Sequence, residues 1–561
     1  MCSCVASFPG FFRESSWLFV SRWLIFLCLG LLAFVTHAES PPSASSSEVE
    51  LGRRIYMEGI SASGHPLQEK RTGTDQAGGV IAACETCHRR SGMGSLEGNI
   101  VITPINGRFL FATDENRPIA LVDPRAPKNV TRAHTPYTDA SFAKALREGL
   151  NAEGNPMSPL MPKYDLSDAE IKAVMAYLRQ LSSELSPGVG EDTLRFATIV
   201  TPGVDPKKSE AMLAMMRMAF SQRNASQENY SGRMRMPIDL IPRTLRNWKL
   251  SVWELKGAPD TWGAQLAEKY SKEPVFAVIS GISNTTWAPV HEFCQKEKVP
   301  CLLPSVALTP QESSYYPFYY SRGVALEADV LARHLRDLKK KAPEKVVQIY
   351  RDDEVGRGAA QALTKALHDS GIKVENRVLK ANDPAALKAA LKGLNHKDAI
   401  MLWLRPSELS ALNKAAPKKL PADTYVSGFL ADENYGFVSK AWMPNVRVVY
   451  PYEIAKKRLK NSDSVTKWLK SWNLPLVDED FQSEVYFNLL FLTDMISQML
   501  DNLYRDYMVE RAEDMLSLGS NVSSYPHLGL ARGQRFASKG AYIAHIDQGG
   551  KLVADSEWIV P

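Results

Sequence analysis

Cysteine is scarce: seven in 561 residues, too few for the disulfide-dense scaffolds that hold small secreted domains together. A dominant charge is lacking too. Lys and Arg number 67 against 62 Asp and Glu, and a surplus of +5 on this length gives no electrostatic footprint for nucleic acid. Short-period repeats are absent, and low complexity is confined to 40–47, which excludes solenoid and linker-like architectures. Only one apolar run, at 23–35, raises the question of a membrane span. What remains is globular in composition, 45% hydrophobic and 23% charged. At roughly 150 residues per domain it is long enough for three to four folding units.

The run at 23–35 follows Arg13 and Arg22. As a helix it would rise about 20 Å, short of the roughly 30 Å hydrocarbon core. Thr36-His37-Ala38 then places a small residue before a polar stretch, the pattern of a secretory signal cleaved after Ala38. The competing reading is an uncleaved anchor lengthened by 17–20. Cleavage removes Cys2, Cys4 and Cys28 and leaves Cys84, Cys87, Cys294 and Cys301 in an oxidising compartment. No other stretch is long enough to span a membrane, so the mature chain is expected to have no stable membrane span.

Two rhythms divide the remainder. Up to about residue 182 the spacing predicts helices over 48–57, 139–149 and 167–182, separated by irregular Pro- and Gly-punctuated chain. Ser167 with Glu170 makes a capping box for the last of these. Residues 182–192 read as a linker. From 193 apolar strands alternate with amphipathic helices. Strands are predicted at 195–200, 249–255, 275–280, 300–304, 345–350, 372–378 and 399–404. Helices are predicted at 205–222, 260–271, 285–298, 323–339, 357–370, 384–394 and 407–415. That alternation implies parallel sheets covered on both faces, and the length of this half implies two lobes.

The strongest local signal is Cys84-Glu-Thr-Cys87-His88. Two thiols three residues apart can each add to a haem vinyl group, and the adjacent imidazole can turn onto the iron. A thioredoxin-like dithiol would need a βαβ context that Gly78-Gly79 and Ala82-Ala83 do not provide, and a zinc site would need a second Cys/His pair. The sixth ligand must come from the opposite face of the ring, and Met93 lies too close in sequence to reach it. Met161 and then Met157 are the candidates, in the loop Asn155-Pro-Met-Ser-Pro-Leu-Met-Pro162, which its prolines stiffen. His65 and His134 remain as ligands of a bis-His alternative. Met/His ligation leaves no open coordination position and favours electron transfer over oxygen chemistry.

With Gly52 and Tyr56 in the first helix, CxxCH, a Pro-Gly loop and Met-Pro before the last helix, residues 48–182 resemble a class I c-type cytochrome. The resemblance implies a small all-α domain around one covalent haem c. Cys84 and Cys87 would be its attachment points, His88 the proximal ligand and Met161 the distal one. Pro104 would offer the carbonyl that accepts from the proximal imidazole, and an insertion is expected around 109–135.

In the second half, 273–290 and 298–305 form a strand, small-residue turn, helix and strand. With Tyr320-Ser-Arg-Gly323, 345–356 and 398–403, they resemble the type I periplasmic binding proteins of the branched-chain amino-acid-binding family. That resemblance implies two α/β lobes closing over a small-molecule ligand, with Ser283, Asn284, Thr285 and Ser305 at the carboxylate-cradle positions. Val355 stands where an aromatic residue is expected, and Asp432 is only a loose counterpart of the acid that would hold an α-amino group, so the amino-acid clamp is incomplete. Ordinary helix caps compete with ligand contact at each Ser and Thr. Cys294 and Cys301 are either a disulfide or two buried thiols. Met215-Met216-Arg217-Met218 reads as core, and Asp353-Glu354 as a solvated turn. No nucleophile–base constellation appears.

The expected protein is therefore multidomain. A signal peptide (1–38) precedes a cytochrome c domain (39–189, core 48–182) and a two-lobed α/β binding-protein fold (193–561). The expected function is periplasmic electron transfer with a redox partner such as a dehydrogenase or oxidase. A solute-binding protein with an accessory haem is the alternative, and a redox enzyme the least favoured.

Overall fold

The structure is a computed structural model that describes residues 45–70, 82–97, 100–113, 134–233, 246–310, 314–380, 384–415, 423–431, 435–517 and 523–561. The export segment, most of the expected insertion and Asp432 lie outside the described residues.

The first region is built on two crossing helices. Ser46–Glu58 lies against Asp168–Gln180, and the crossing is close because of Gly52: a Cβ there would sit 2.0 Å from the Ala173 carbonyl oxygen. Tyr56, fully buried beside that contact, donates from its hydroxyl to the Arg89 carbonyl at 2.7 Å. The Ser167–Glu170 capping box forms, and Glu170 also accepts from the Ala62 N–H at 2.8 Å. A second capping box, Thr138 with Ser141, starts Asp139–Glu148, which Gly149 ends in the left-handed region. The region is not purely helical. Glu69–Lys70 pairs antiparallel with Lys163–Tyr164, and Ser95–Glu97 with Ile100–Ile102. These short ladders tie down irregular chain between the helices, where the all-α expectation had only loops.

The expected linker is pinned rather than loose. Ser186 N–H donates to the Leu503 carbonyl, and the Arg505 guanidinium donates to the Pro187 carbonyl. A Cβ on Gly188 would lie 2.1 Å from the backbone nitrogen of Phe276.

Two seven-stranded sheets follow. In the first, Asn247–Glu254, Thr193–Val200, Ala277–Ile279, Ile282–Ser283, Cys301–Leu302, Ser305–Val306 and Pro317–Phe318 are all parallel. In the second, Lys373–Leu379, Lys345–Arg351, Asp398–Trp403, Asp423–Ser427 and Val446–Tyr450 run parallel. Tyr542–Ile546 and Leu552–Ala554 then add antiparallel at the edge, which the expectation of purely parallel sheets did not include. The predicted strands 275–280 and 300–304 are cut short to Ala277–Ile279 and Cys301–Leu302, and each is followed after a break by a second short strand beyond the predicted range. The breaks fall at Ser280 and Gly281 and at Leu303, all with positive φ. Non-glycine residues avoid that region unless their surroundings hold them there. Both breaks sit where the strand ends turn toward the space between the lobes.

Met215 and Met216 are fully buried in the core. Three helices absent from the sequence expectation complete the fold: Ala455–Ser471, Glu479–Met499 and Arg505–Ser517.

Candidate functional site

A single helical turn gathers the chemistry of the first region. Cys84 sits at the start of Glu85–His88, and the Cys87 and His88 N–H groups both donate to the Cys84 carbonyl, at 3.2 and 2.9 Å. Positions i, i+3 and i+4 share a helix face, so both thiols and the imidazole lie together. The thiols are half-buried and not bonded to each other. Burial pushes the Cys84 thiol up to about 12, the reverse of the low-pKa thiolate of a dithiol redox motif.

His88 Nδ1 lies 3.0 Å from the Thr103 carbonyl oxygen. A carbonyl only accepts, so Nδ1 carries the proton and Nε2 keeps its lone pair. Burial also pushes the ring down to about 4, which keeps it neutral. The accepting carbonyl belongs to Thr103, one residue before the expected Pro104. The proline's own nitrogen has no proton to give, and its fixed φ shapes the turn that presents the preceding carbonyl.

Met161 is half-buried and packs on the same apolar cluster as Cys84, with Tyr56, Leu110 and Phe142. Tyr164, three residues on, donates from its hydroxyl to the Ala82 carbonyl at 3.0 Å, tying the Met161 loop to the chain just before Cys84. Met157 is also half-buried but packs on none of the buried apolar clusters. Met93 is buried elsewhere, its sulfur accepting from Asn106 Nδ2. His65 is exposed, and His134 Nδ1 is directed at the Thr135 carbonyl. The donor set suits a haem: two open thiols, an imidazole in the right tautomer and a thioether on the same cluster. Among the described residues no group of three or more His, Cys, Asp or Glu is arranged to hold a metal ion, as a zinc site would require.

Immediately after His88 the chain is clamped to the second region. Arg89 pairs with Glu513 at 2.6 Å, and Glu513 pairs in turn with Arg535 at 2.7 Å. Glu510 accepts from Ser91 N–H and hydroxyl, and Asp506 accepts from both Arg90 and Tyr316. Arg532 donates to the Thr86 carbonyl and pairs with Glu85, inside the CxxCH turn itself. Glu510 is pushed up to about 8, chiefly by burial, with Arg89 opposing.

Between the two sheets lies a cleft of about 230 Å³. Ser283, Asn284 and Ser305 line it, facing Arg405, Phe429, Tyr452 and Glu484; Thr285 does not line it, and its N–H donates to the Ser283 hydroxyl. Arg405 crosses from one lobe to the other, pairing with Asp353 at 2.7 Å and donating to the Asn284 carbonyl at 3.1 Å. Lys208 pairs with Asp478 at 2.7 Å at the cleft's edge. Asp353, expected in a solvated turn, therefore both caps Glu354–Ala366 and holds Arg405. Val355 is buried in the core.

Comparison with known proteins decides what these two sites belong to. Residues 77–182 match the family model for cytochrome c, and residues 249–447 match that for a periplasmic binding protein. The chain carries a cytochrome c domain and a periplasmic binding protein domain. Among solved structures, a fatty acid ABC transporter substrate-binding protein from Thermomonospora curvata is similar at 15% identity and TM-score 0.50, over 67% of this chain and 95% of that one. A leucine binding protein from Thermotoga maritima is similar at 12% identity and TM-score 0.49, over 66% and 99%. At such identity the first likeness shows the fold alone, and the second adds nothing to that. A search of curated proteins gave no significant match.

The cytochrome c domain thus holds the CxxCH turn and Met161, and its match implies haem c binding. In the binding-protein half, Cys294 and Cys301 are joined as a disulfide that links the helix Ala288–Lys296 to the strand Cys301–Leu302. Sequence reasoning missed Lys208, Arg405, Tyr452, Asp478 and Glu484. Glu484 left no signal, since it stands in sequence among Glu479, Asp480, Gln482 and Ser483. Among the described residues no helix is long and apolar enough to cross a membrane.

Proposed function

We propose that the protein is an exported monohaem c-type cytochrome that transfers electrons, coupled to a ligand-binding module in the same chain. Residues 1–38 direct export and are removed after Ala38. Residues 39–189 form the cytochrome domain and 193–561 the two-lobed binding domain, both in the periplasm. Cys84 and Cys87 would hold one haem c by thioether links, and His88 and Met161 would be its iron ligands. Bound there, haem supplies a one-electron couple without an open coordination position. The chain's own residues do the rest. The Thr103 carbonyl fixes the imidazole tautomer and orientation, the apolar cluster around Tyr56 and Leu110 excludes water, and Tyr164 anchors the Met161 loop. Electrons pass to or from a partner such as a periplasmic dehydrogenase or oxidase.

The observation that carries this reading is the protonated Nδ1 of His88 on the Thr103 carbonyl, one turn from two open thiols. The test is absorption spectroscopy of the oxidised, export-matured protein and of Met161→Ala and Met157→Ala. The long-wavelength thioether–iron band should vanish in the first variant and persist in the second. Its persistence in Met161→Ala would overturn the ligand assignment.

A second reading, a solute-binding protein with an accessory haem, is favoured by the cleft and by the Arg405 hydrogen bond that spans it to Asn284. Tight binding of a solute that is indifferent to haem oxidation state would select it.

A further inference from the structure

The cleft is lined with the hydroxyls expected of a carboxylate cradle, yet its hydrogen bonding is largely spent. The Ser283 hydroxyl donates to the Thr286 carbonyl and accepts from the Thr201 hydroxyl and the Thr285 N–H. Asn284 Nδ2 donates to the Gly203 carbonyl. Both cations lining the cleft are taken, Arg405 by Asp353 and Lys208 by Asp478. An incoming carboxylate would meet no cation that is not already ion-paired, and would lie among Asp205, Asp478, Asp480 and Glu484.

Glu484 is the opposite case. It is 3% exposed and lines the cleft; Tyr525 donates to Oε1 at 3.1 Å, the Ser305 hydroxyl also acts on the carboxyl, and Oε2 has no partner in good hydrogen-bond geometry. A buried carboxyl oxygen left bare is costly, and a donor that reaches it recovers that cost. Phe429, Phe481 and Tyr452 supply apolar and aromatic walls beside it, and ring faces favour a cation over an anion. The volume, about 230 Å³, admits only a small molecule.

We infer that this cleft seats a small organic ammonium ion that carries no carboxylate, its N–H donors directed at Glu484; the inference rests on the ligand-binding reading above. An ammonium–carboxylate contact is a charge-assisted hydrogen bond, stronger than a neutral one. The titratable groups around Glu484 are Tyr320, Tyr452, Tyr525, Asp478, Asp480 and Lys208. Burial pushes the carboxyl up to about 8, so at neutral pH the empty cleft holds a proton that an arriving ammonium displaces.

The test is calorimetry on the full-length, haem-loaded protein with n-butylamine, 1-butanol and leucine as probes. Butylamine should bind, with leucine and butanol about tenfold or more weaker. Repeating the titration in two buffers of different ionisation enthalpy should show proton release on amine binding, a readout that needs no variant. Glu484→Gln should weaken butylamine about tenfold or more and abolish that proton release. Leucine or butanol binding as tightly as butylamine would overturn the inference while leaving the ligand-binding reading intact. Failure of all three probes to bind would overturn both.

Discussion

Glu510 and Glu484 are both buried, both near neutral in their titration, and differ in one respect. Glu510, at the seam behind the CxxCH turn, has both carboxyl oxygens engaged by Ser91, with Arg89 close by. Glu484, in the cleft, has one oxygen on Tyr525 and the Ser305 hydroxyl nearby, while Oε2 has no partner in good geometry. The seam is an ion-pair network in which Arg89, Glu513, Arg535, Arg90 and Asp506 are all paired, although Arg535 Nε has no partner of its own. Buried polar groups are normally satisfied, so a network whose carboxylates are all engaged marks a permanent joint, while a bare acceptor on a cleft wall marks a place kept for something else. The two regions thus separate structure from binding within one chain.

The largest way to break that comparison is Arg89→Ala. It takes from Glu513 one of its two arginines, leaving Arg535, and removes the cation that opposes the burial of Glu510; losing one partner of a buried pair costs about 3 kcal/mol. Denaturant midpoints should report that loss, while amine affinity in the cleft of the folded fraction stays unchanged. An effect below about 1 kcal/mol would mean that the seam is not a permanent joint.

The pH profile sharpens the comparison at the next level. Glu510 and Glu484 each titrate near 8 in the folded chain, raised by burial from 4.5. Between those values the folded state holds protons that the unfolded chain has released, so stability is full below about 4.5 and is lost as pH rises through about 8. The melting temperature should be several degrees higher at pH 5 than at pH 8.5. Glu510→Gln and Glu484→Gln should each flatten the profile, and a profile that rises over this window would contradict both assignments.

The smallest expected effect is on stability at pH 5. There Glu484 is protonated, and Glu484→Gln replaces one neutral side chain by another of similar shape. The melting temperature should change little, by about 1 kcal/mol or less in stability.

How much of this was legible in the sequence depended on range. The CxxCH turn and the Ser167 capping box are local patterns, and both take the expected form, with the imidazole partner displaced by one residue from Pro104 to Thr103. The α/β rhythm was legible because buried strands such as Asp398–Trp403 are continuous apolar runs. The breaks at Ser280 and Leu303 were not, since positive φ at a non-glycine leaves no compositional trace. Glu479–Met499 was missed because it is buried on most sides, Asp480, Gln482, Ser483, Glu484 and Asn488 together with Phe481, Val485, Leu492 and Ile496, so polar and apolar residues do not sort onto opposite faces. The seam joins residues some four hundred positions apart, such as Arg89 and Glu513, and no local spacing announces such a pair.

The covalent haem is the claim on which the electron-transfer account stands, and mass spectrometry of proteolytic peptides from the export-matured chain tests it most directly. The account predicts that the peptide spanning Cys84 to His88 is heavier by one haem, with neither thiol open to alkylation. An unmodified peptide, with both cysteines alkylated by iodoacetamide, would contradict it.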